Sequence, residues 1–464
     1  MFFRVVLSLC LLASWRGFSE TENWPMWRGP RGDGTSLEQS VPTYWSATNN
    51  IAWKTAVPGE GHSSPIVWGD RLFLTTALKE TQDRCLLCFD RKTGALLWQQ
   101  AILHSPLEPK NPENSYASST AATDGQKVFA TFLDGKDVVV AAYDFEGHRV
   151  WLVRPGQFYS QHGFSHTPVL FEDKVIIDCD SKGENFIVAL ARQDGHILWK
   201  VQRDNPTQSY SAPLIREMAG RLQMVVPGNK AVTSLDPRTG RTLWVTDGPS
   251  EDCVITPAYN ERAGLVLTCS SWPKRVLQAI RPDGDGNITQ TKIVWSSTGG
   301  APYVPSPISL GDWFFTSGFE TKETWCFEAA TGKILWHEKM GLHHASPVSA
   351  NGLVYFLNDD GVMHVVKAGP TFELVARNEV GERTYASPAI SRGQIYLRGF
   401  KHLYCIGTLL KQRSLPGSNT IRSAKACWPP IFCRDERSTV RSTANSKSSP
   451  FGDNAVEEPK PSHL

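Results

Sequence analysis

The sequence contains no hydrophobic run long enough to cross a membrane, since none of its apolar stretches approaches the roughly 20 residues that a spanning helix requires. It also has little net charge, because 48 Lys and Arg residues nearly balance 46 Asp and Glu residues. A chain with this balance offers no basic face for nucleic acid. It has no pair of adjacent cysteines and no kinase glycine loop or catalytic-loop motif. The 37 Gly and 30 Pro residues that it does contain indicate a globular body with many turns.

The two ends of the chain differ from its middle. Residues 1–19 combine Arg4 near the start, an apolar run and small residues before Glu20, which is the pattern of a secretory signal peptide. We therefore expect a periplasmic or secreted protein. Residues 20–49 form a leader, which we expect to pack on the domain that follows. Residues 408–464 are rich in Ser, Pro, Lys and Arg without alternation, and this composition predicts a disordered C-terminal extension.

Between these ends, tryptophan recurs at intervals of 41 to 53 residues, each time closing a short apolar segment. Four of the segments read FDRKTGALLW, ARQDGHILW, LDPRTGRTLW and FEAATGKILW, so a local motif accompanies the period. A repeat of this length is one supersecondary unit that cannot bury its apolar face alone. The recurring residues are Trp53, Trp98, Trp151, Trp199, Trp244, Trp295 and Trp336.

Each repeat contains four apolar runs of four to seven residues, separated by Gly, Asp or Thr-Gly, which predicts four short antiparallel strands. Seven complete units follow one another, and the last of them has Ala376 where the tryptophan is expected. An eighth unit at 384–407 has only three strands, whereas residues 50–57 supply one strand ahead of the first unit. The sequence therefore predicts an all-β protein, an eight-bladed β-propeller over residues 50–407 closed by an N-terminal strand. Seven blades is the alternative.

The Asp, Thr-Gly and Trp of the motif resemble the pyrroloquinoline quinone-type propeller repeat. That resemblance implies that the seven tryptophans dock one blade on the next rather than take part in chemistry. The leader segment NWPMWRGPRGDGTS at 23–36 is similar to exported propeller proteins of planctomycete-type bacteria. The same fold serves periplasmic quinoprotein dehydrogenases and the lipoprotein scaffold of outer-membrane barrel assembly, so the fold by itself does not identify the function.

The quinoprotein dehydrogenases stack their cofactor on a disulfide between adjacent cysteines and hold Ca²⁺ beside it. This chain has no such cysteine pair and no long insertions between repeats, so we expect no cofactor, with pyrroloquinoline quinone and Ca²⁺ as the alternative. Asp283, Asp285 and Asn287 have the alternating spacing of a calcium loop. Because Ile288 and Val294 stand where such a loop needs Gly and Glu, we expect a plain turn and no metal site.

The cysteines suggest little chemistry. Cys85 and Cys88 have the spacing of a redox motif, but they lie on a predicted strand instead of at the start of a helix. Cys88, Cys326 and Cys405 occupy the same place in their repeats, which indicates small buried side chains. Cys253 and Cys269 lie on successive strands of one unit and could pair after export.

A ring-bearing residue stands near the start of the innermost strand in most repeats, and these starts converge on one rim of a propeller channel. Rings with polar tips would suit a polar, ring-bearing or sugar-like ligand. The competing interpretation is that repeated units simply repeat their packing. The candidate rim residues are His62, Tyr116, His166, Tyr210, Tyr303, His344 and Tyr385.

The function that the sequence favours is that of an exported, non-enzymatic propeller scaffold, monomeric, which binds a protein partner or a surface glycan. The alternative is a periplasmic quinone-dependent oxidoreductase. No catalytic residue can be assigned, because residues on different blades meet only in the folded chain. The leader residues Arg28, Arg31 and Asp33 could fold over one face of the ring or brace its closure, and the sequence favours bracing, with Trp24 and Trp27 buried.

Overall fold

The computed structural model describes residues 22–204, 207–228, 230–248, 251–270 and 272–408. The predicted signal peptide and the predicted extension after Thr408 lie outside these residues. The described chain consists of 34 strands and one short helix. Its first two strands belong to blades that are otherwise built from the other end of the chain: β1 (Thr35–Ser36) and β2 (Ile51–Ala56).

Eight sheets follow one another around a ring. Blade 1 consists of β3 (Ile66–Trp68), β4 (Arg71–Leu78), β5 (Asp83–Asp90) and β6 (Leu96–His104). Blade 2 consists of β7 (Ala122–Thr123), β8 (Lys127–Asp134), β9 (Asp137–Asp144) and β10 (Arg149–Val153). Blade 3 consists of β11 (Val169–Phe171), β12 (Lys174–Cys179), β13 (Phe186–Ala191) and β14 (Ile197–Gln202). Blade 4 consists of β15 (Leu214–Met218), β16 (Arg221–Gly228), β17 (Ala231–Leu235) and β18 (Thr242–Asp247).

Blade 5 is interrupted before its last strand by a short excursion that contains the only helix of the described residues. The blade consists of β19 (Ala258–Asn260), β20 (Leu265–Ser270), β21 (Val276–Ile280) and β23 (Ile293–Ser297). The excursion contains β22 (Gly286–Asn287), which pairs parallel with β18 as a fifth strand of the blade 4 sheet, and α1 (Thr289–Lys292). Blade 6 consists of β24 (Ile308–Leu310), β25 (Trp313–Ser317), β26 (Glu323–Glu328) and β27 (Ile334–Lys339). Blade 7 consists of β28 (Val348–Ala350), β29 (Leu353–Leu357), β30 (Val362–Lys367) and β31 (Leu374–Glu379). Blade 8 consists of β32 (Ala389–Ser391), β33 (Gln394–Arg398), β34 (His402–Ile406) and β2.

The ring closes as the repeat predicts. Strand β2 pairs antiparallel with β34, which places Trp53 opposite Cys405. The eight-bladed propeller is therefore confirmed, and the seven-bladed alternative is wrong. The unit without a tryptophan still forms a complete blade, in which Ala376 pairs with Val365. Its sheet is extended on the inner side by β1, which pairs parallel with β28.

Burial explains why short apolar runs suffice for the middle strands. In β4 and β5 the six central residues of each strand are buried, because both faces of a blade pack against neighbouring blades. The outermost strand β6 instead alternates between exposed and partly buried residues over most of its length. Strands buried on both faces need continuous apolar sequence, whereas a strand at the outer edge needs it on one face only.

The recurring tryptophans of the outer strands contact the following blade. In five cases the indole N–H donates to a backbone carbonyl in the turn before that blade's outer strand. The pairs are Trp53 to Arg91 (3.0 Å), Trp98 to Phe145 (2.8 Å), Trp151 to Arg192 (3.1 Å), Trp295 to Ala329 (2.9 Å) and Trp336 to Gly369 (3.1 Å). Trp199 is different because its indole N–H is buried without a partner. Trp244 donates within its own blade, to Gln223.

The glycine of the repeated Thr-Gly turn is required by the same contact. Gly94 has a φ of +72°, and a Cβ at this residue would lie 2.6 Å from the Trp53 ring. Gly332 stands in the same relation to Trp295, at 2.5 Å. Only glycine combines the left-handed backbone with such a close approach of an indole. The motif joins Gly and Trp because each turn receives the tryptophan of the preceding blade.

A second link between blades runs around the central channel. At the start of six of the innermost strands, a backbone N–H donates to the hydroxyl group of the equivalent residue on the next blade. We call this set of links the hydroxyl girdle. Its members are Ser64 to Thr120 (2.9 Å), Thr120 to Thr167 (3.2 Å), Ala212 to Thr256 (3.0 Å), Thr256 to Ser306 (2.9 Å), Ser306 to Ser346 (2.9 Å) and Ser346 to Ser387 (2.9 Å).

The leader crosses the face of the ring at which the innermost strands end. Trp24 is buried and exchanges two backbone hydrogen bonds with Val67 on blade 1, at 2.9 and 2.8 Å. Glu38 accepts backbone hydrogen bonds from Arg392 and Gly393 on blade 8. Asp33 forms an ion pair with Arg216 on blade 4 at 2.6 Å. The leader therefore contacts blades on opposite sides of the ring.

Arg28 is the most deeply buried charged residue of the leader, with 3% of its surface exposed. Its guanidinium donates to the carbonyl oxygens of Pro307 and Pro347, each at 2.7 Å. These contacts correct the expectation that Arg28 and Asp33 brace the ring closure, because they bind blades 4, 6 and 7 instead of blade 8. Trp27 is also only half-buried, since it faces the channel.

Candidate functional site

The structure brings five of the seven candidate rim residues together at the open end of the channel. They line a cavity of about 260 Å³, which we call the rim cavity. Each lies just before the innermost strand of a different blade. These strands surround the propeller axis, so the segments that lead into them converge and form the cavity. The five residues are His62, Tyr210, Tyr303, His344 and Tyr385.

The two other candidates lie outside the cavity. His166 is 1% exposed and packs against Phe158, Phe164 and Tyr210, with neither ring nitrogen in a hydrogen bond. Burial lowers the pKa of His166 to about 3, so the ring is neutral. Tyr116 is half-buried against the core between blades 1 and 2, beneath the ammonium group of Lys110. The rings of His166 and Tyr116 therefore serve packing, which is the competing interpretation of the rim residues.

Sequence reasoning missed the residues that complete the cavity. The connection between β6 and β7, residues 105–121, folds over the channel mouth, and we call it the mouth loop. It contributes Asn111, Glu113 and Asn114 to the lining. Asn114 donates to the carbonyl oxygen of His162 at 2.7 Å, which ties the mouth loop to blade 3. The only sequence signal is length, because the interval from Trp98 to Trp151 is the widest between consecutive tryptophans.

Polar groups on blades 4 and 5 form one side of the cavity. The hydroxyl group of Tyr210 donates to Gln208 at 3.2 Å and contacts the hydroxyl group of Ser160. Gln208 in turn lies 3.4 Å from the carboxylate of Asp252, which also lines the cavity. Burial raises the pKa of Asp252 above its ordinary value. This side therefore presents a phenol and a carboxyl group held in fixed positions.

Stacked rings form the opposite side, on blades 1, 7 and 8. The centroid of Tyr385 lies 3.9 Å from that of His344 and 4.9 Å from that of His62. His62 also stacks on Phe400 at 5.3 Å. Burial, followed by the nearby charge of Arg398, lowers the pKa of His62 to about 3. A neutral imidazole and a phenol are thus the groups that a bound molecule meets here.

His344 differs from the other rim histidines because it has a carboxylate partner. Its Nδ1 lies 2.9 Å from Oδ2 of Asp359, and its backbone N–H donates to Oδ1 of the same residue at 2.8 Å. Its Nε2 lies 4.0 Å from a carboxylate oxygen of Glu113 on the mouth loop. Blade 7 and the mouth loop therefore each bring a carboxylate to one imidazole.

The channel continues below the rim cavity and ends at the leader. A segment of about 140 Å³ is lined by hydroxyl groups of the girdle, among them Ser64, Thr120 and Ser387. Trp27 lines the same segment. Because the leader crosses the opposite face, the channel is open at the rim and covered at its other end.

The calcium-like loop of the sequence is held by ion pairs within the protein. Asp283 pairs with Lys292 at 2.9 Å and Asp285 pairs with Arg221 at 2.7 Å, so their oxygens do not converge on a calcium ion. Across the described residues, no cluster of three or more His, Cys, Asp or Glu is placed to hold a metal ion. No helix among them is long and apolar enough to cross a membrane.

The seven cysteines of the described residues are buried free thiols. The Cys253–Cys269 disulfide that the sequence left open is not formed, because the Cys269 thiol points at the Pro302 carbonyl oxygen, 3.3 Å away. Burial raises the pKa of Cys85 to about 11 and that of Cys88 to about 12, which leaves both unreactive. Cys88 also lies opposite Trp98, just as Cys405 lies opposite Trp53.

Comparison with known proteins agrees with this fold. The sequence matches the family described as outer membrane protein assembly factor BamB over residues 38–138 and 82–337, which together span more than half of the chain. No curated protein gives a significant match. Among solved structures, BamB from Moraxella catarrhalis is similar at 15% identity and a TM-score of 0.53, with 77% of this chain and 99% of that chain covered. A europium-containing methanol dehydrogenase is similar at 13% identity and a TM-score of 0.52, with 82% and 90% covered. At these identities the structural likeness shows the fold alone.

Proposed function

The chain belongs to the family described as outer membrane protein assembly factor BamB, and we propose that it is an exported, non-enzymatic scaffold that binds an extracytoplasmic partner at its open rim. The observation that carries the proposal is the rim cavity, in which rings from five blades converge above a channel that the leader covers at its other end. Export is supported by the signal-like residues 1–19 and places the binding face in the periplasm or outside the cell.

The lining of the rim cavity favours a sugar residue of a surface glycan as the occupant. Tyr210, Tyr303 and Tyr385 supply flat faces with polar tips, and Glu113 and Asp252 supply hydrogen-bond acceptors. A hydroxyl-rich ring uses both kinds of group, since its C–H face packs on aromatic rings while its hydroxyl groups donate to carboxylates. A volume of about 260 Å³ suits one such ring better than a long chain.

A protein partner is the second candidate, because large aromatic side chains are exposed near the same rim. Trp272 is 60% exposed and Phe400 is 37% exposed. Both lie in the turns between the second and third strands of their blades, and Phe400 stacks on His62 of the cavity. Exposed aromatic residues of this kind are enriched where proteins bind one another. Such a partner would rest on the rim instead of entering the cavity.

The cavity does not fit a quinone cofactor of the dehydrogenase type. Pyrroloquinoline quinone is a polyanion, and the described residues that line the cavity include Glu113 and Asp252 but no Lys or Arg. The described residues also offer no cluster of three or more His, Cys, Asp or Glu side chains that could hold the accompanying Ca²⁺. The two carboxylates in the lining therefore disfavour the cofactor, and no step of a quinone reaction is assigned to these residues.

Binding of methyl glycosides and surface polysaccharide fragments to the full mature chain, measured by calorimetry, tests the proposal. We expect Tyr303→Ala and Asp252→Asn to weaken sugar binding about tenfold or more, because each removes a stacking face or an acceptor. Tyr44→Ala is the matched control, since Tyr44 is 61% exposed and does not line the cavity. Retention of pyrroloquinoline quinone with Ca²⁺ after desalting would contradict the proposal.

A crosslinking experiment on the same protein preparation distinguishes a protein partner from a glycan partner. Photocrosslinkers placed at Trp272 and Phe400 should capture a protein from the periplasmic fraction if a protein rests on the rim. If Trp272→Ala and Phe400→Ala abolish that capture while no glycoside binds, the protein partner replaces the glycan as the conclusion.

A further inference from the structure

Resting on the proposed glycan binding, we infer that His344, Asp359 and Glu113 form a recognition element that selects uncharged sugars bearing two neighbouring hydroxyl groups. In this element Asp359 is a positioning residue, whereas His344 and Glu113 contact the sugar. The inference concerns which sugar is accepted, and it follows from three features of the imidazole of His344.

The first feature is the pair of hydrogen bonds between Asp359 and His344. One carboxylate binds both the backbone N–H of His344, at 2.8 Å, and its ring Nδ1, at 2.9 Å. A carboxylate only accepts hydrogen bonds, so Nδ1 carries the proton, and in the neutral imidazole Nε2 is left with its lone pair. Asp359 therefore decides which nitrogen faces the rim cavity as an acceptor.

The second feature is the rigidity of the pair. Asp359 is 3% exposed, its N–H donates to the Leu342 carbonyl at 2.8 Å, and its own carbonyl accepts from Thr384 at 3.0 Å. The ring of His344 is held between Tyr385, at 3.9 Å, and Phe319, at 4.5 Å. With both faces and one nitrogen occupied, Nε2 is the only part of the ring that is left for a ligand.

The third feature is the position of Glu113. Its carboxylate oxygen lies 4.0 Å from Nε2 of His344, which is too far for a hydrogen bond between them and leaves two acceptors side by side. Two acceptors at this spacing are complementary to two hydroxyl groups on adjacent carbon atoms. The described lining residues include the carboxylates of Glu113 and Asp252 but no Lys or Arg. The nearby Arg383 already donates to the hydroxyl group of Tyr385 at 2.7 Å, so the site favours an uncharged sugar over an anionic one.

Repeated packing does not explain this arrangement. His62 and His344 occupy equivalent positions, each two residues before a residue of the hydroxyl girdle, yet the ring of His62 contacts Tyr385 and Phe400 and no carboxylate of the described residues. Only blade 7 places a carboxylate behind its rim histidine. Because the equivalent histidine His62 lacks such a partner, the carboxylate is not required by the fold, and it points to a ligand.

Nitrogen-15 NMR of the imidazole side chains of the full mature chain tests the positioning step without any ligand. We expect His344, assigned by the signal lost in His344→Gln, to carry its proton on Nδ1 at neutral pH. We expect Asp359→Asn to abolish that preference, since an amide can donate to Nδ1 as well as accept from it. Asp360→Asn, an exposed neighbour, is the control and should leave the signal unchanged. A wild-type proton on Nε2 would overturn the inference.

Titration with methyl glucoside, methyl galactoside, methyl mannoside and their monodeoxy analogues tests the recognition step. Loss of either of one adjacent pair of hydroxyl groups should weaken binding about tenfold, as should Glu113→Gln, which replaces a residue of an exposed loop and does not threaten folding. A glucuronide should bind more weakly than its neutral counterpart.

The outcomes separate the two proposals. If glycosides bind and Tyr303→Ala abolishes binding, but Glu113→Gln, Asp359→Asn and the deoxy analogues have no effect, glycan binding stands and the recognition element is wrong. Thermal melts of the Asp359→Asn protein show whether it is folded in that comparison. If no glycoside binds the wild-type chain, both proposals fail.

Discussion

The backbone N–H of Ser306 donates to the hydroxyl group of Ser346 on the next blade, 2.9 Å away. The same link recurs around the hydroxyl girdle. Neighbouring blades are separate sheets, so no strand pairing can satisfy these backbone N–H groups, and side-chain hydroxyl groups accept their hydrogen bonds instead. A buried backbone N–H must find a partner. In six places around this propeller the partner is a Ser or Thr hydroxyl at the start of the next innermost strand, which explains why Ser or Thr recurs at that position of the repeat.

Thr256→Val should destabilise the fold, because it removes the hydroxyl group that accepts the N–H of Ala212 at 3.0 Å. The cost of leaving a buried donor unpaired is about 1–3 kcal/mol. Urea denaturation measures it. Thr268→Val is the matched control, since Thr268 is equally buried but its hydroxyl group makes no hydrogen bond. Equal losses in the two variants would mean that the girdle adds nothing to stability.

Ala212→Ser should have the opposite effect. Ala212 is the one position of the girdle, between Thr167 and Thr256, that has no hydroxyl group. A serine there can accept the N–H of Thr167, and one added hydrogen bond is worth about 0.5–1.5 kcal/mol. The side chain borders the open channel, so it has room. An unchanged or lower denaturation midpoint would contradict this prediction.

Two tryptophans provide a matched pair for the docking contact. Trp98 and Trp199 are both half-buried, but the indole N–H of Trp98 donates to Phe145 at 2.8 Å, whereas that of Trp199 is buried without a partner. Replacement by Phe removes the N–H from each. Trp98→Phe should therefore cost about 1 kcal/mol more than Trp199→Phe in urea denaturation. If the two losses are the same, blade docking depends on the ring and not on its hydrogen bond.

The parts of this structure that could be predicted from sequence are those that every blade repeats. Trp53 and Gly94 meet because one contact recurs around the ring, and a recurring contact leaves a recurring motif. The closure could be predicted for the same reason, since β2 supplies the strand that the last unit lacks. Ala376 shows that a blade survives the loss of one motif residue when its strands still pair.

The parts that could not be predicted occur only once. Glu113 reaches the cavity on the mouth loop, whose only signal is its length. His166 lies one residue after Ser165, which is the cavity-lining residue of its blade, so its ring packs against Phe158 and Phe164 instead of entering the cavity. The partners of Arg28 are backbone carbonyls, which carry no sequence signature. Single long-range contacts of this kind become visible only in the folded chain.

Deletion of residues 23–36 should lower the melting temperature by several degrees. The deletion exposes the channel end that the leader covers and removes the backbone bonds of Trp24 with Val67. Arg28→Met isolates one contribution, since it keeps the bulk of the side chain but loses its bonds to Pro307 and Pro347, at a cost of about 1–3 kcal/mol. Calorimetry measures both. Melting temperatures that do not change would show that the leader only rests on the ring.

His166→Phe should make the fold more resistant to acid. Burial lowers the pKa of His166 from its ordinary 6.5 to about 3, so between these values the unfolded chain binds a proton that the folded chain does not. Stability is therefore lost as the pH falls from about 6.5 towards 3, by about 1.4 kcal/mol per pH unit for this group. Phenylalanine does not titrate and fits beside Phe158 and Phe164. Relative to pH 7, the variant at pH 4.5 should keep about 2–3 kcal/mol that the wild type loses. The difference in stability between the two proteins at pH 7 is the reference. If the pH curve of His166→Phe runs parallel to that of the wild type, His166 takes up its proton in the folded state and is not sealed from solvent.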